Sequence, residues 1–429
     1  MNKWHQLRLK DVADVKLSNV DKKTNSNEIK ISLCNYTDVY KNDFINADKV
    51  KDFMIATCNE NEFEKFILRE GQVAITKDSE TRNDIGVSTY IKENLDNVVL
   101  GYHLALLTPI NSKLNGRFLH YWLNSKQSKK YFENNAGGSG QRCTLTLDII
   151  KSIPLNLPSL SIQKEIALTL SSLEEKIELN NKINIELEAM AKTFYDYWFV
   201  QFDFPDKNGK PYKSSGGKMV YNEKLKREIP VGWEVGKLDK FASIAKGDLI
   251  TNKTSEIGKI KVVAGGLDFA YFHSNPNRKE NTITISGSGA SAGYVNFWRE
   301  EIFASDCTTV RGESDLETLI ILQFLKQNQN QIYRQSKGSA QPHVYPNDIK
   351  SLLYVQPHVD IREKIAPILL PLNKKIGNNI KQNQQLTELR DWLLPMLMNG
   401  QVIVNNESDF GKDEVLAMVA EPSAVYEKN

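Results

Sequence analysis

The sequence is short of most features that mark an enzyme or a membrane protein. It has four cysteines in 429 residues, Cys34, Cys58, Cys143 and Cys307, and no two are close. That spacing suits neither a zinc site nor a disulfide framework, so a reducing cytoplasm is the expected compartment. No apolar run approaches the ~18 residues of a membrane span. The first ten residues hold Lys3, His5 and Arg8 and no apolar stretch, so no signal peptide is expected and no membrane partner. An excess of one charge is also missing. Lys and Arg number 55 against 53 Asp and Glu, a net +2, so composition is silent on nucleic-acid binding, which needs cations gathered on one face.

Catalytic signatures are equally scarce. There is no Gly-x4-Gly-Lys-Ser/Thr phosphate loop and no Asn-Pro-Pro-Tyr-like methylation motif; Asn275-Pro276-Asn277-Arg278 reads as a turn. The six histidines are scattered, with no His-x-x-x-His and no clustered carboxylates, so neither a metal site nor a catalytic residue is expected. Gly287-Ser288-Gly289 with Gly293 follows a strand, as a dinucleotide loop would. Tyr294-Val295-Asn296-Phe297-Trp298 then reads as another strand, and a pyrophosphate loop needs a helix N-terminus there. The chain is expected to bind no cofactor of its own and to be non-catalytic.

What the sequence does contain is a repeat. Ile166, Leu170, Leu173, Ile177, Leu187, Ala191, Phe194 and Trp198 step by fours and threes, the seam of a long amphipathic helix over 162–198. Two asparagines, Asn180 and Asn184, interrupt it. Adding 199 gives Ile365, Leu369, Leu372, Ile376, Leu386, Leu393 and Leu397, with interruptions at Asn379 and Asn383 and one departure at Arg390. The segments before the helices repeat too. Trp4, Leu9, Val12, Ala13 and Val15 match Trp233, Leu238, Phe241, Ala242 and Ile244 at a constant offset of 229. Strand patterns at 73–76, 87–91 and 98–107 and a helix at 116–132 have counterparts at 282–286, 294–298, 301–304 and 316–333. The late offset is about 200, so the second globular segment is the shorter. Residues 202–228, rich in Pro, Gly and Ser, read as a linker.

Connectivity then constrains geometry. If the two helices pair, the second must run back along the first. The expected fold is α+β: two globular α/β units separated by an antiparallel coiled coil of two long helices, a pseudo-two-fold internal repeat. About 38 residues at 1.5 Å each make a helix of roughly 57 Å. Pairing would bring the Asn180/Asn184 layer to the Asn379/Asn383 layer, where buried asparagines fix register. The alternative is that they face solvent or a partner protein. B-DNA repeats its accessible groove about every 34 Å, so two readers held apart suit a split site with an unread spacer.

The stretch from Phe194-Tyr195-Asp196-Tyr197-Trp198-Phe199, through Asn208-Gly209-Lys210-Pro211-Tyr212-Lys213-Ser214-Ser215-Gly216-Gly217, to Glu228-Ile229-Pro230-Val231-Gly232-Trp233 resembles the specificity subunits of Type I restriction-modification systems. The resemblance extends to about Val402. It implies target-recognition domains at 1–157 and 229–356, a central helical region at 158–200, a linker at 201–228 and a distal helical region at 357–400. The acidic tail, 401–429, departs from the pattern and is expected to be disordered. The resemblance further implies double-stranded DNA as ligand and two methyltransferase subunits as partners. These would modify adenine N6 with S-adenosylmethionine, and a nuclease/translocase subunit would be added for restriction.

Candidate DNA contacts come from cations for phosphates and from Arg, Gln, Asn or Ser for base edges. Loops of the first unit offer Lys77, Arg82, Asn83, Gln141 and Arg142. Those of the second offer Arg278, Lys279, Ser286, Ser288, Ser291, Lys337, Gln341 and His343. Gly-Ser-x-Gln turns recur at 138–141 and 338–341, where the plainer reading is a helix-ending turn with solvated side chains. Against DNA recognition stand two other classes: an enzyme, for which no cofactor site is legible, and a non-catalytic scaffold whose two units bind proteins.

Overall fold

The duplicated heptads fold as two helices, Leu160–Tyr195 and Val359–Met398, in a computed structural model that describes residues 4–138, 142–336 and 342–402. The expected acidic tail lies, apart from Gln401 and Val402, outside the described residues. The chain divides into two compact units, residues 1–177 with 385–429 and residues 178–384, so each long helix is shared between them. Among the described residues no helix is long and apolar enough to cross a membrane.

In the first unit the strand His5–Arg8 pairs antiparallel with Pro154–Leu157. A five-stranded sheet runs in the order Ala13–Leu17, Leu104–Pro109, Val73–Thr76, Ser88–Ile91, Phe44–Ile45, antiparallel except for the last pair. A three-stranded sheet places Ile29–Cys34 between Met54–Cys58, antiparallel, and Val98–Leu100, parallel. Helices Gly116–Leu123 and Lys126–Asn135 cover the larger sheet, burying Phe118 and Phe132 with Leu9, Ile75 and Leu107. The first long helix joins this core through Ile166 and Leu170, and the end of the second through Leu397 and Met398. The buried Gln163 side chain anchors the helix start, donating to Lys113 O at 3.1 Å and accepting from Asn115 N at 2.9 Å.

The second unit repeats this topology. Glu234–Lys237 pairs with Leu353–Gln356. The larger sheet runs Ser243–Lys246, Cys307–Arg311, Thr282–Ser286, Val295–Trp298, all antiparallel. The smaller sheet places Ile260–Val263 between Phe269–His273, antiparallel, and Ile302–Ala304, parallel. Among the described residues the strand Phe44–Ile45 has no equivalent here. It belongs to residues 35–53, which with the helices Tyr36–Tyr40 and Ala47–Val50 join two strands that the second unit joins by 264–268. That insertion accounts for much of the length difference.

Several elements differ from the sequence expectation. The helix expected at 116–132 is two helices, because Ser125 accepts from Ser128 N and starts a new one. Its counterpart likewise divides into Asp315–Gln327 and Gln329–Arg334. The strand expected at 98–107 is broken by a turn at which His103 takes φ 73°. Residues 201–228 do not form a featureless linker. They carry most of the hairpin Met219–Asn222/Arg227–Pro230, which runs two residues past them, and contribute Phe202 and Phe204 to an aromatic cluster around Trp233. Phe202 meets the Trp233 ring edge-on at 5.4 Å, Phe204 stacks on it at 5.4 Å, and Tyr212 stacks on Phe204 at 4.6 Å. The aromatic motif is therefore a folded clasp at the end of the first long helix.

Both asparagine pairs lie in the second unit, where the helices run antiparallel. Asn180 Nδ2 donates to Asn383 Oδ1 and to Gln382 Oε1, each at 2.8 Å. Asn379 Nδ2 donates to Asn184 Oδ1 at 2.8 Å. The exchange is reciprocal under the 199-residue offset. In the first unit Arg390, the seam's polar departure, lies 3.9 Å from Glu174 and from Asp43, and 2.9 Å from Asp391.

Candidate nucleic-acid interface

In each unit the loop that leaves the central strand is tied to the residue just before the neighbouring strand of the sheet. In the first unit the central strand ends at Thr76. Asp78, two residues on, receives Lys77 Nζ and His103 Nδ1, each at 2.6 Å, and Thr144 Oγ1 at 2.8 Å. Burial opposes ionisation of Asp78, but the Lys77, His103 and Thr144 hydrogen bonds outweigh it and hold the carboxyl below its ordinary range. The backbone closes the knot, with Leu145 N donating to Lys77 O at 2.7 Å and Cys143 paired with Ser79. Gly137 and Thr144 exchange hydrogen bonds at the base of the next loop.

An open cleft of about 410 Å3 lies beside this knot, lined by Tyr36, Tyr40, Asp78, Ser79, Glu80, Thr81, Asp84, His103 and Arg142. Tyr36 and Tyr40 stack 5.7 Å apart, and the Tyr40 hydroxyl donates to Asp84 at 3.0 Å. Arg82 and Asn83 are exposed on the turn Arg82–Asp84, beside the cleft-lining Thr81, and Arg142 is exposed on the cleft wall. Arg142 lines the cleft, and Arg82 and Asn83 sit between two of its lining residues, Thr81 and Asp84. Lys77 does not join them as a free cation: it is buried against Asp78 and the Tyr102 ring. Gln141 lies outside the described residues.

At the equivalent places of the second unit the chemistry changes. The central strand ends at Ser286, and Ser288 donates to Asp306, the residue before the strand Cys307–Arg311. Ser288 also bridges to His343, while Val344 N donates to Gly287 O at 3.0 Å. His343 stacks on Tyr345. Ser286 is buried and donates to Gly266 O at 2.9 Å. Arg278 is committed inside the protein, donating to Thr309 Oγ1 at 3.1 Å, Asn277 O at 2.8 Å and Lys246 O at 2.9 Å. Lys279 is exposed and Ser291 partly so. Lys337 and Gln341 lie outside the described residues, as do the whole Gly-Ser-x-Gln turn at 338–341 and all but Gly138 of the one at 138–141. After Ser286 the chain returns antiparallel as Val295–Trp298, so the glycine-rich stretch is a hairpin connection. Among the described residues no group of three or more His, Cys, Asp or Glu could hold a metal ion.

Sequence reasoning missed Tyr36, Tyr40, Asp78, His103 and Asp306. The four-residue spacing of Tyr36 and Tyr40 fits a helix but is too short to show a period. The Asp78–His103 and Ser288–Asp306 ties join residues far apart in sequence and had no local signal.

The architecture defines a duplicated helix-and-sheet protein, its two units built to one topology and joined through paired helices. Residues 1–189 and 230–388 match the model of the Type I restriction modification DNA specificity domain, and the chain belongs to that family. It is 28% identical over 311 residues, 67% of this chain and 69% of the relative, to the specificity subunit of the Type I restriction enzyme MjaIX of Methanocaldococcus jannaschii. Over 94% of this chain and all of the relative it is 22% identical to the HindI specificity subunit of Haemophilus influenzae. The crystal structure of the Type I restriction-modification S subunit from M. genitalium shares the fold, with a TM-score of 0.56 at 17% identity over 92% of this chain and 96% of that one.

Proposed function

We propose that this chain recognises a bipartite DNA target and directs adenine methylation, and restriction where a nuclease is present, by associated subunits. One observation carries the reading: a single topology occurs twice in a member of the specificity family, and its loop ties differ in chemistry, Asp78 with His103 and Lys77 in one unit and Ser288 with Asp306 in the other. Two scaffolds alike in backbone and unlike in their loops suit two different half-sites. The paired helices, registered by Asn180, Asn184, Asn379 and Asn383, act as spacer ruler and as docking surface for two methyltransferase subunits. Those subunits bind the S-adenosylmethionine. A nuclease/translocase subunit completes the restriction complex in the cytoplasm.

Within this reading Arg82, Asn83 and Arg142 meet the first half-site, with Gln141 as a candidate from sequence. Ser291 and His343, in and beside the tied loop, meet the second, with Lys337 and Gln341 as candidates from sequence. Lys77, Arg278 and Ser286 hold their loops in shape through internal hydrogen bonds. Cations in such loops engage phosphates, and polar side chains the base edges.

Methylation mapping tests the proposal. The chain is co-expressed with the methyltransferase subunit encoded beside it in a host free of such systems, and the genome is sequenced for N6-methyladenine. A split motif methylated once per half on opposite strands is the expected result. Two soluble, associated proteins that methylate nothing would overturn it in favour of a protein-binding scaffold.

A further inference from the structure

The second unit contains a half-buried ionic contact that DNA reading does not use. Arg299 follows the strand Val295–Trp298, and its side chain is only 12% exposed. Nε donates to Asn373 Oδ1 on the second long helix at 2.8 Å, and Nη2 to Glu188 Oε1 on the first at 3.2 Å. The guanidinium packs on the Phe297 ring at 4.9 Å. The other oxygen of Glu188 receives Lys326 Nζ at 3.3 Å, from the helix Asp315–Gln327. Burial opposes the charge on Glu188, yet the Lys326 and Arg299 charges and hydrogen bonds outweigh it and keep the carboxylate ionised. Asn373 Nδ2 donates onward to Asn281 Oδ1 at 3.1 Å. Asn281, in left-handed backbone at φ 59°, immediately precedes the strand Thr282–Ser286, which leads into the loop holding Ser288 and Ser291.

We propose that Arg299 is a positioning residue that fixes how the second recognition unit sits on the helix pair, and so sets the spacing between the two half-sites. A guanidinium is a rigid planar fork that serves two partners in fixed directions, which an ammonium on a flexible stem does not. Here one fork holds both helices, and Asn373 carries the tie to the base of the strand that feeds the reading loop. Sliding or rocking of the recognition unit along the pair must break at least one of these hydrogen bonds. In the first unit the residue after the equivalent strand is Lys92. Its ammonium lies 3.7 Å from Glu175, which also meets Arg117 at 3.4 Å, in a more exposed setting. The inference rests on the bipartite reading above.

The test is methylation mapping of Arg299→Met and Arg299→Lys beside the unaltered chain, with the methyltransferase subunit co-expressed. Both half-site sequences should stay the same. Arg299→Met should methylate sites whose spacer is one base pair longer or shorter roughly tenfold more often than the unaltered chain does, the order of ratio that one lost charge-assisted hydrogen bond allows. Arg299→Lys should fall between. Unchanged spacing strictness in Arg299→Met overturns the proposal, as does an altered base preference in the second half-site at constant spacing. Where Arg299→Met yields no folded complex, Asn373→Leu removes one arm of the fork and decides: relaxed spacing supports the role, strict spacing overturns it. Absence of any split motif with the unaltered chain would instead defeat the bipartite reading itself.

Discussion

At the same two places in the two units, two residues past the central strand and one before its neighbour, one unit pairs Asp78 with His103 and the other Ser288 with Asp306. The backbone task is identical: pin a loop so that its tip is presented in one shape. The chemistry is not, because the first tie gathers Lys77, Asp78 and His103 in partial burial, while the second is a hydroxyl on a carboxylate. A scaffold that fixes loop bases and leaves side chains free to differ can serve two readers with one topology. The ties are structural in each case; Arg82 and Arg142 are exposed beside the first, while Lys279 lies beyond the far end of the central strand from the second.

The most forceful way to test whether the units are independent is to hollow each core. Phe118→Ala in the first unit and Trp233→Ala in the second should each cost about 3–5 kcal/mol, the usual range for a buried aromatic. Phe118 is fully buried, and Trp233 is the hub of the aromatic clasp. Hydrogen exchange should then lose protection in the strands of the altered unit. Equal loss in both would show that the shared helices weld the units into one cooperative block.

The ties themselves give a smaller contrast. Asp78→Ala leaves the buried Lys77 ammonium without its carboxylate, an expected cost of about 2–3 kcal/mol. Ser288→Ala removes one hydroxyl, and Asp306 faces the small cost of a single lost hydrogen bond, about 1 kcal/mol. Chemical denaturation of the two variants should keep that order. Reversal would mean that the first tie contributes less than its burial implies.

The repeat was legible because a heptad seam sustained over more than thirty residues carries its own period, and because Asn180, Asn184, Asn379 and Asn383 break it at matching places. The insertion at 35–53 was not, since its helices are one turn long, too short to show a period. Their asparagine starts, Asn35 and Asn46, were the available cue. Residues 201–228 misled in the opposite direction. Their Gly, Pro and Ser content suggested a linker, while Phe202, Phe204 and Tyr212 find their partner only in Trp233, beyond the segment. Among site residues, the exposure of Arg82, Asn83 and Arg142 followed from their loops. The burial of Lys77 and the internal hydrogen bonds of Arg278 depend on tertiary partners that no local pattern encodes.

An exposed capping site should matter less than the Asp78 tie and about as much as the Ser288 one. Ser314 starts the helix Asp315–Gln327 as a capping box, its hydroxyl accepting from Glu317 N while the Glu317 carboxylate accepts from Ser314 N. Ser314→Ala should cost about 1 kcal/mol, read as a shift in thermal midpoint. The first unit begins its equivalent helix with Asn115 accepting from Phe118 N at 2.9 Å, so Asn115→Ala should match it.

The finest contrast is in acid, between two glutamates of the first long helix. Burial and the neighbouring Asp43 raise the Glu174 carboxyl above its usual 4.5, although the Tyr121 hydrogen bond, Arg390 and Arg117 pull the other way. Glu188 is shifted downward by Lys326 and Arg299 in spite of burial. The linkage signs are therefore opposite. Glu188 contributes stability that is present above its unfolded value and lost as pH falls through its lowered folded value. The contribution tied to Glu174 is present below its unfolded value and lost as pH rises through its raised folded value. Glu188→Gln should thus flatten the loss of stability below about pH 4.5, and Glu174→Gln should flatten a decline on the neutral side of it. Urea midpoints measured from pH 3.5 to pH 7 on both variants read the two slopes directly; slopes of the same sign would mean that the helix presents equivalent environments to the two units.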